Sequence, residues 1–216
     1  MILSKRLLTI ASLIKPHSIV GDVGCDHAKL LIYLVQNNLI EKGYALDIAQ
    51  GPLNQAISNI QSENLSEKII PILSDGLDKC PSDVNCIVIA GMGYDTIKSI
   101  LLNNQFVTDQ LIIQCNSKVY ELRSLLSQLN YRIIDEIMVN EGKHYYQMIV
   151  CDMTKNGNYN EDELYFGPIL LKKRDGIFLK YYQNQLAVLL NIQKTYKDDE
   201  INRQIKNIQS MLNVSK

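Results

Sequence analysis

Asp22, Gly24, Asp26 and His27 fall within one short stretch, GDVGCDHAKL at 21–30. An apolar run precedes them and a helix-like run follows. A glycine turn between a strand and a helix lets a ligand approach the backbone and the helix's free N–H groups. Such a turn suits a diphosphate when glycines keep its mouth open. Here Asp26 sits in the mouth, and a carboxylate repels a diphosphate and attracts a cation. The amino group and sulfonium of S-adenosylmethionine meet that demand, with Asp22, Asp26 and the turn serving its amino-acid end. Asp26 has a competing role as cap of the following helix. His27 stands between substrate contact and support of the helix start. Cys25, Asp26 and His27 are adjacent, and adjacent residues rarely converge on one ion, so no metal site is expected.

Four further places carry polar or glycine-rich residues directly after an apolar run. Asp47, followed by Ile48, lies 23 residues beyond Gly24, where an acid typically takes ribose hydroxyls; the alternative is a helix cap. Asp75-Gly76 can accept the adenine amino hydrogens, or be an ordinary turn. Ala90-Gly91-Met92-Gly93 offers close backbone approach and a soft apolar wall. The N/D-P-P-Y/F motif that holds an exocyclic amine is missing there, which argues against methylation of an exocyclic amino group. Gln114-Cys115-Asn116 ends the fifth run. Ligands of open α/β sheets sit at the carboxyl ends of the strands, and five such ends agree. His17 reads as exposed, and His144 opens a strand.

The elements that must position these residues follow from periodicity. A helix over 4–14, with Ser4 as cap, comes first. Strands are predicted at 18–23, 43–48, 68–76, 85–93 and 110–116, and helices at 28–37, about 52–63, 94–103 and 118–129. Pro71 places the third strand at an edge or irregular position. The alternation βαβαβαβαβ means a parallel sheet with right-handed crossovers. Residues 131–153 read as two strands joined at Glu141-Gly142, an antiparallel ending that fits a class I methyltransferase fold better than a plain dinucleotide-binding one. The polar run 154–160 marks a boundary, giving a Rossmann-like domain over 1–153 and a helical domain over 154–216. In the latter, Phe178, Leu179, Tyr182, Leu186, Leu189 and Ile192 recur at helical spacing, as do Ile201, Ile205, Ile208 and Leu212. Two such helices, joined tightly, should pack antiparallel.

The chain of 216 residues is 46% hydrophobic and carries a net charge of −1, so it has no global basic signal. The first 149 residues carry −3 and the rest +2, an asymmetry compatible with nucleic acid or with nothing. Lys172-Lys173-Arg174 is the sole basic triplet, read equally as phosphate contact or as a solvated face. Five cysteines form no C-x-x-C pair and predict reduced, mostly buried thiols in a cytoplasmic protein. No run approaches the ~18 apolar residues of a spanning helix, so a soluble protein without membrane contact is expected, and a monomer is assumed.

The combination LSKRL, Asp22–His27 as D-x-G-x-D-H, Gly51-Pro52, SDGL, VIAGMG and G-K-x-Y at Gly142–Tyr145 resembles the bacterial tRNA (adenine-22-N1)-methyltransferase family, TrmK. The pieces spread over most of residues 3–150. The resemblance implies an S-adenosylmethionine-dependent cytoplasmic enzyme acting on N1 of adenine 22 in tRNA, with a C-terminal coiled coil. The fifth strand has Gln-Cys-Asn where the family is expected to have Gln-Pro-Asn, and Tyr94 stands where a further glycine is expected; both bear on substrate fit. Adenine N1 has a lone pair and no proton, so alignment matters more than a general base. Asp26, directly or by holding His27, is the candidate for stabilising the positive charge of the product. The base must be exposed or flipped. Tyr94 or Tyr145 would stack on it, with Asn116 beside the same pocket. Lys5, Arg6, Lys118, Arg123, Lys143 and the 172–174 triplet are candidate RNA contacts. The competing readings are a methyltransferase of the same fold acting on a small molecule or protein, a non-catalytic partner-binding protein, and, more distantly, a nicotinamide dehydrogenase.

Overall fold

A computed structural model describes residues 3–103, 106, 108–153, 158–196 and 198–213. The boundary run at 154–160 therefore lies partly outside the described residues. Seven strands form one sheet in the order β3-β2-β1-β4-β5-β7-β6. β1 (Ser18–Val23), β2 (Ile40–Asp47), β3 (Ile69–Leu73), β4 (Cys86–Met92) and β5 (Gln110–Cys115) run parallel, and β6 (Arg132–Glu141) and β7 (His144–Asp152) form a hairpin whose second strand pairs antiparallel with β5. The strand order reverses at β1, between β2 and β4. That is where an open α/β sheet leaves a crevice. β3 is one of the two edge strands, which explains how it tolerates Pro71.

Side chains alternate across the strands, and each face packs its own helices. On one face α1 (Lys5–Leu13), α2 (Lys29–Gln36) and α3 (Gln50–Ser62) cover Val20, Ala45, Val88 and Ile112. On the other, α4 (Tyr94–Asn103) and α5 (Val119–Gln128) cover Leu46, Ile87, Ile89 and Ile113. The expected strand–helix alternation fails once. Residues 74–85 cross from β3 to β4 through turns, and Leu77 and Val84 fill the core in place of a helix. Pro81 and the Asp75-Gly76 turn interrupt any helical register there.

Helix α1 is capped by Ser4, whose hydroxyl accepts the Leu7 N–H at 3.3 Å. It is tied to strands far along the chain: Lys5 N–H donates to Glu141, Arg6 to Gln114, and Leu13 O accepts from the Gln110 amide.

The C-terminal segment contains α6 (Glu161–Phe166), α7 (Leu170–Lys173), α8 (Gly176–Gln193) and α9 (Asp199–Asn213). Arg174 before α8 donates to Met211 O near the end of α9, so these two helices run antiparallel. Met138 of β6 joins Phe166, Leu170, Phe178, Tyr182, Ile208 and Met211 in a third core. Beneath it lies a buried ion pair. Arg123 of α5 meets Glu136 of β6 at 2.8 Å, with side chains 1% and 0% exposed. Arg123 also donates to Leu164 O, Tyr165 O and Gln147, and Glu136 accepts from the N–H groups of Ile169 and Leu170. Arg123 thus fastens the helices to the sheet. The expectation that it meets RNA is corrected, because a side chain with no exposed surface cannot reach a phosphate.

Candidate active site

At the carboxyl end of β1, Asp22 is 6% exposed. Burial, then repulsion from Asp47, pushes its carboxyl up to about 7; Arg6 opposes this and Asp26 adds to it. The chain then turns: Gly24 and Cys25 N–H groups donate to Leu46 O at 2.8 and 3.2 Å. Gly24 has φ +71°, and a Cβ there would stand 2.2 Å from Met92 Cε, so the turn leaves no space for a side chain unless Met92 moves. Asp26 and Ala28 adopt left-handed backbone, φ 49° and 55°. Such conformations at non-glycine residues hold only where the surroundings over-determine them, typically at ligand sites. Asn59 supplies part of that restraint by donating to His27 O at 3.0 Å.

Asp26 does not cap the next helix. The N-cap of α2 is Ala28, without a side-chain cap. The Asp26 carboxylate is instead exposed, 3.4 Å from His27 Nε2. Arg6, Leu7, Asp22, Asp26, His27 and Lys29 line one cleft with the glycine turn and Ala90.

Asp47 closes β2 and is 8% exposed. Its Oδ1 accepts the Ala49 N–H at 2.9 Å, fixing the turn into α3, while Oδ2 makes no hydrogen bond among the described residues. Ile48 beside it is 65% exposed, an apolar surface available to a flat ring. Asp75 is exposed at the end of β3, and Gly76 packs against Ile100.

The ends of β4 and β5 are joined by one network. Gln114, fully buried, accepts through Oε1 from Arg6 Nη1 at 2.7 Å and from Gly91 N–H at 3.1 Å. Its Nε2 donates to Asn116 Oδ1 at 2.9 Å, and Asn116 Nδ2 donates to Gly91 O at 2.8 Å. Gly91 has φ +82°, and a Cβ would sit 3.0 Å from Arg6 Nη1. The AGMG turn is therefore held open by polar side chains. Tyr94 lies beside it, half-buried, with Lys118 5.7 Å above its ring. Cys115, the position departing from proline, is buried, with its Sγ against Ser117 O. Burial raises the pKa of all five thiols, that of Cys86 to about 12, which removes them as nucleophiles at neutral pH.

A second groove runs from Asn116 and Lys118 to Tyr120, Tyr145, Tyr165 and Tyr181, with Tyr145 and Tyr181 rings 5.1 Å apart. Lys143 is exposed in the β6–β7 turn, and His17 and His144 are exposed. The basic triplet is divided. Lys173 is paired with Asp135, Arg174 donates to Met211 O, and Lys172 is exposed. Arg6, Lys29 and Gln114 were not singled out as cofactor-site residues from sequence, although LSKRL and the QCN strand end contain two of them.

The family model described as TrmK, tRNA (adenine(22)-N(1))-methyltransferase, matches residues 20–216. The tRNA (adenine(22)-N(1))-methyltransferase of Bacillus subtilis (strain 168) is 31% identical over 193 residues, covering 85% of this chain and 81% of the relative. M. capricolum TrmK, solved with the natural cofactor product S-adenosyl-homocysteine, is 34% identical over 100% of both chains, with TM-score 0.89. A Streptococcus pneumoniae protein solved with S-adenosyl-L-methionine is 30% identical over 98% of this chain and 100% of that one, with TM-score 0.91. The glycine turn, the acids at the ends of β1 and β2 and the β7–β6 ending thus stand on the fold of those proteins, and the chain belongs to the TrmK family of tRNA (adenine(22)-N(1))-methyltransferases.

Proposed function

We propose that this chain methylates N1 of adenine 22 in tRNA, in the cytoplasm, with S-adenosylmethionine as methyl donor. The observation that carries the reading is the pairing of buried Asp22 and Asp47 across the glycine turn at the point where strand order reverses. Bound S-adenosylmethionine supplies an electrophilic methyl group on a sulfonium. Asp22 and Asp26 receive its ammonium, Asp47 its ribose hydroxyls, Ile48 one face of its adenine, and Asp75 with Gly76 the rim around the adenine amino group. Ala90, Gly91 and Met92 form the wall nearest the reacting centre. Asn116, fixed through Gln114, and Tyr94 orient the target base. No proton leaves N1, so these residues align, exclude water and stabilise charge rather than abstract.

Residues 1–153 carry this chemistry, and residues 154–216 widen the face that meets tRNA. The tyrosine-lined groove beside Asn116 suits splayed bases. Lys118, Lys143 and Lys172 are the cations we assign to phosphate, with Lys173 and Arg174 serving the attachment of the helices.

The test is mass spectrometry of unmodified tRNA transcripts after incubation with the protein and isotope-labelled S-adenosylmethionine. Labelled 1-methyladenosine, lost when adenine 22 is replaced by guanine, is the expected result. Cofactor binding without label in any tRNA would leave a methyltransferase of another substrate. Asp26→Ala is expected to lower kcat/KM for the cofactor at least tenfold with little change in thermal stability; a wild-type value would remove Asp26 from the ammonium's partners.

The state of Asp22 makes cofactor binding pH-dependent. Its folded pKa, raised from 3.8 to about 7, means the free protein keeps this proton where an unfolded chain has lost it. Asp22 thus subtracts stability as pH rises from about 4 through 7. An ammonium ligand binds the ionised form, so affinity is expected to fall up to tenfold per unit as pH drops below about 7. 5′-Methylthioadenosine has no ammonium and is expected to show no such slope in calorimetry between pH 5.5 and 8.

A further inference from the structure

Resting on the tRNA reading above, we infer that the groove between the β5 end and the helical segment holds a second nucleobase, extruded from a nucleotide adjoining adenine 22. Both parts of the chain line it: Tyr145 and Gln147 from β7, Tyr165 from α6, and Tyr181 and Gln185 from α8. The groove encloses about 330 Å³, within the ~300–1,000 Å³ of small-ligand sites. That is room for one heterocycle and not for a length of RNA strand. Asn116 lines its mouth, so the nucleotide that fills it stands next to the target base rather than in a distant arm.

The lining joins flat apolar surface to unengaged hydrogen-bonding groups. The Tyr181 ring packs against Tyr145 at 5.1 Å and against buried Tyr182 at 4.9 Å between centroids, so it is held in place. Arg123 Nη2 donates to Gln147 Oε1 at 2.8 Å. That bond fixes which end of the amide is which, and it leaves Nε2 as a donor with no acceptor among the described residues. The Gln185 amide and the hydroxyls of Tyr165 and Tyr181, also half-buried, make no hydrogen bond among the described residues. Polar groups partly removed from water call for a partner. An aliphatic ligand would leave the amides unmet, and a phosphate would gain nothing from the rings. A nucleobase offers a π-face to tyrosine and donors and acceptors at its edge, and so meets both. Arg123 acts here as a positioning residue: buried itself, it sets the amide that faces the base edge.

Charge keeps the RNA backbone out of the groove. Past Tyr120 and Tyr165 the groove continues into a space lined by Glu121, Glu161, Asp162 and Glu200, where Arg203 is taken by Glu200 at 2.7 Å. A phosphate chain running that way would meet four carboxylates and one cation already paired. Lys118 lines the opposite, Asn116 end, and Lys143 is exposed two residues before Tyr145. The strand therefore stays on the lysine side and sends in a base alone.

The experiment measures tRNA Kd by fluorescence anisotropy, on the full chain, with transcripts abasic at the nucleotide on the 5′ side of adenine 22, on its 3′ side, or in the anticodon loop. Wild-type protein is expected to bind one of the two flanking abasic transcripts about 10- to 100-fold more weakly than intact tRNA, the loss of one base stack. The anticodon-loop transcript should stay within threefold. Tyr181→Leu should weaken intact tRNA by a similar factor and leave S-adenosylhomocysteine affinity within threefold. On the sensitive abasic transcript it should add less than threefold, because the ring's partner is already gone. Tyr181→Phe keeps the stack and should lose less than Tyr181→Leu. Additive losses would make Tyr181 only a support of the helices and overturn the inference. So would full wild-type affinity for both flanking abasic transcripts, a measurement that needs no variant and stands if Tyr181→Leu does not fold. Absence of labelled 1-methyladenosine from every tRNA with wild-type protein would overturn the tRNA reading itself, and the second base with it.

Discussion

Asp47→Ala is expected to weaken S-adenosylmethionine binding roughly 10²- to 10⁴-fold. A carboxylate holding two ribose hydroxyls makes two charge-assisted hydrogen bonds of about 1.5–3 kcal/mol each, and alanine makes neither. The variant should nevertheless fold. Asp47 stabilises the turn into α3 through one bond to the Ala49 N–H, worth about 1 kcal/mol. Against that loss stands a gain: Asp47 is the largest charged neighbour disfavouring ionised Asp22, and its removal relieves the repulsion. Asp47→Asn separates the two effects. It retains an acceptor for Ala49 but has neither the charge nor the second acceptor, so cofactor affinity should still drop at least tenfold while the melting temperature stays near wild type. Calorimetry with thermal denaturation of the free protein reads both quantities. Affinity within threefold of wild type in Asp47→Ala would move the ribose elsewhere.

Glu136→Ala is expected to cost about 3–5 kcal/mol of stability, because it strands a fully buried guanidinium. For a chain of this size that corresponds to a fall of about 6–20 °C in melting temperature. The carboxylate also holds the N–H groups of Ile169 and Leu170, so α7 would lose its anchor. Arg123→Met should be comparably severe, since it leaves the buried Glu136 carboxyl without its guanidinium. Changing both residues, Arg123→Met with Glu136→Leu, should cost less than the two single losses added, because no lone charge remains. Additivity of the two would show that the pair is not coupled. This is also the pair through which the helical segment bears on the sheet, so the tRNA KM should rise in the single variants more than the cofactor Kd.

Local pattern carried much of the fold because the strands are short apolar runs ending in polar residues. GDVGCDH, ALDI, SDG, IAGMG and QCN announced the carboxyl edge, and Pro71 announced the edge strand. The hairpin at Glu141-Gly142 was legible because its two runs are separated by a turn residue with positive φ. The link from β3 to β4 was not legible. Leu77 and Val84 are apolar at a spacing that neither a helix nor a strand owns, and only packing on the sheet decides it. The competing role of Asp26 as a helix cap arose because caps are acids before apolar helices; the left-handed backbone at Asp26 and Ala28 moves the cap two residues on. Arg123 and Lys173 looked like surface cations because charge is the visible property in a sequence. Their partners, Glu136 and Asp135, are 13 and 38 residues away. What orients Arg6 was equally out of sight, because its partner Gln114 stands 108 residues later.

That last separation bears on how the protein is born. Helix α1 has nine residues, too few to persist alone in water. Its polar ties to Gln110, Gln114 and Glu141 span 97, 108 and 136 positions. Closing such long loops comes late and slowly. On the ribosome, α1 emerges ahead of the sheet and waits, undocked, until β5 and the β6–β7 hairpin have been made. A nascent chain with β1–β4 already paired has Asp22, Asp26 and the glycine turn but not Arg6 beside them, so that cleft is completed by a segment made before the sheet and seated among the last.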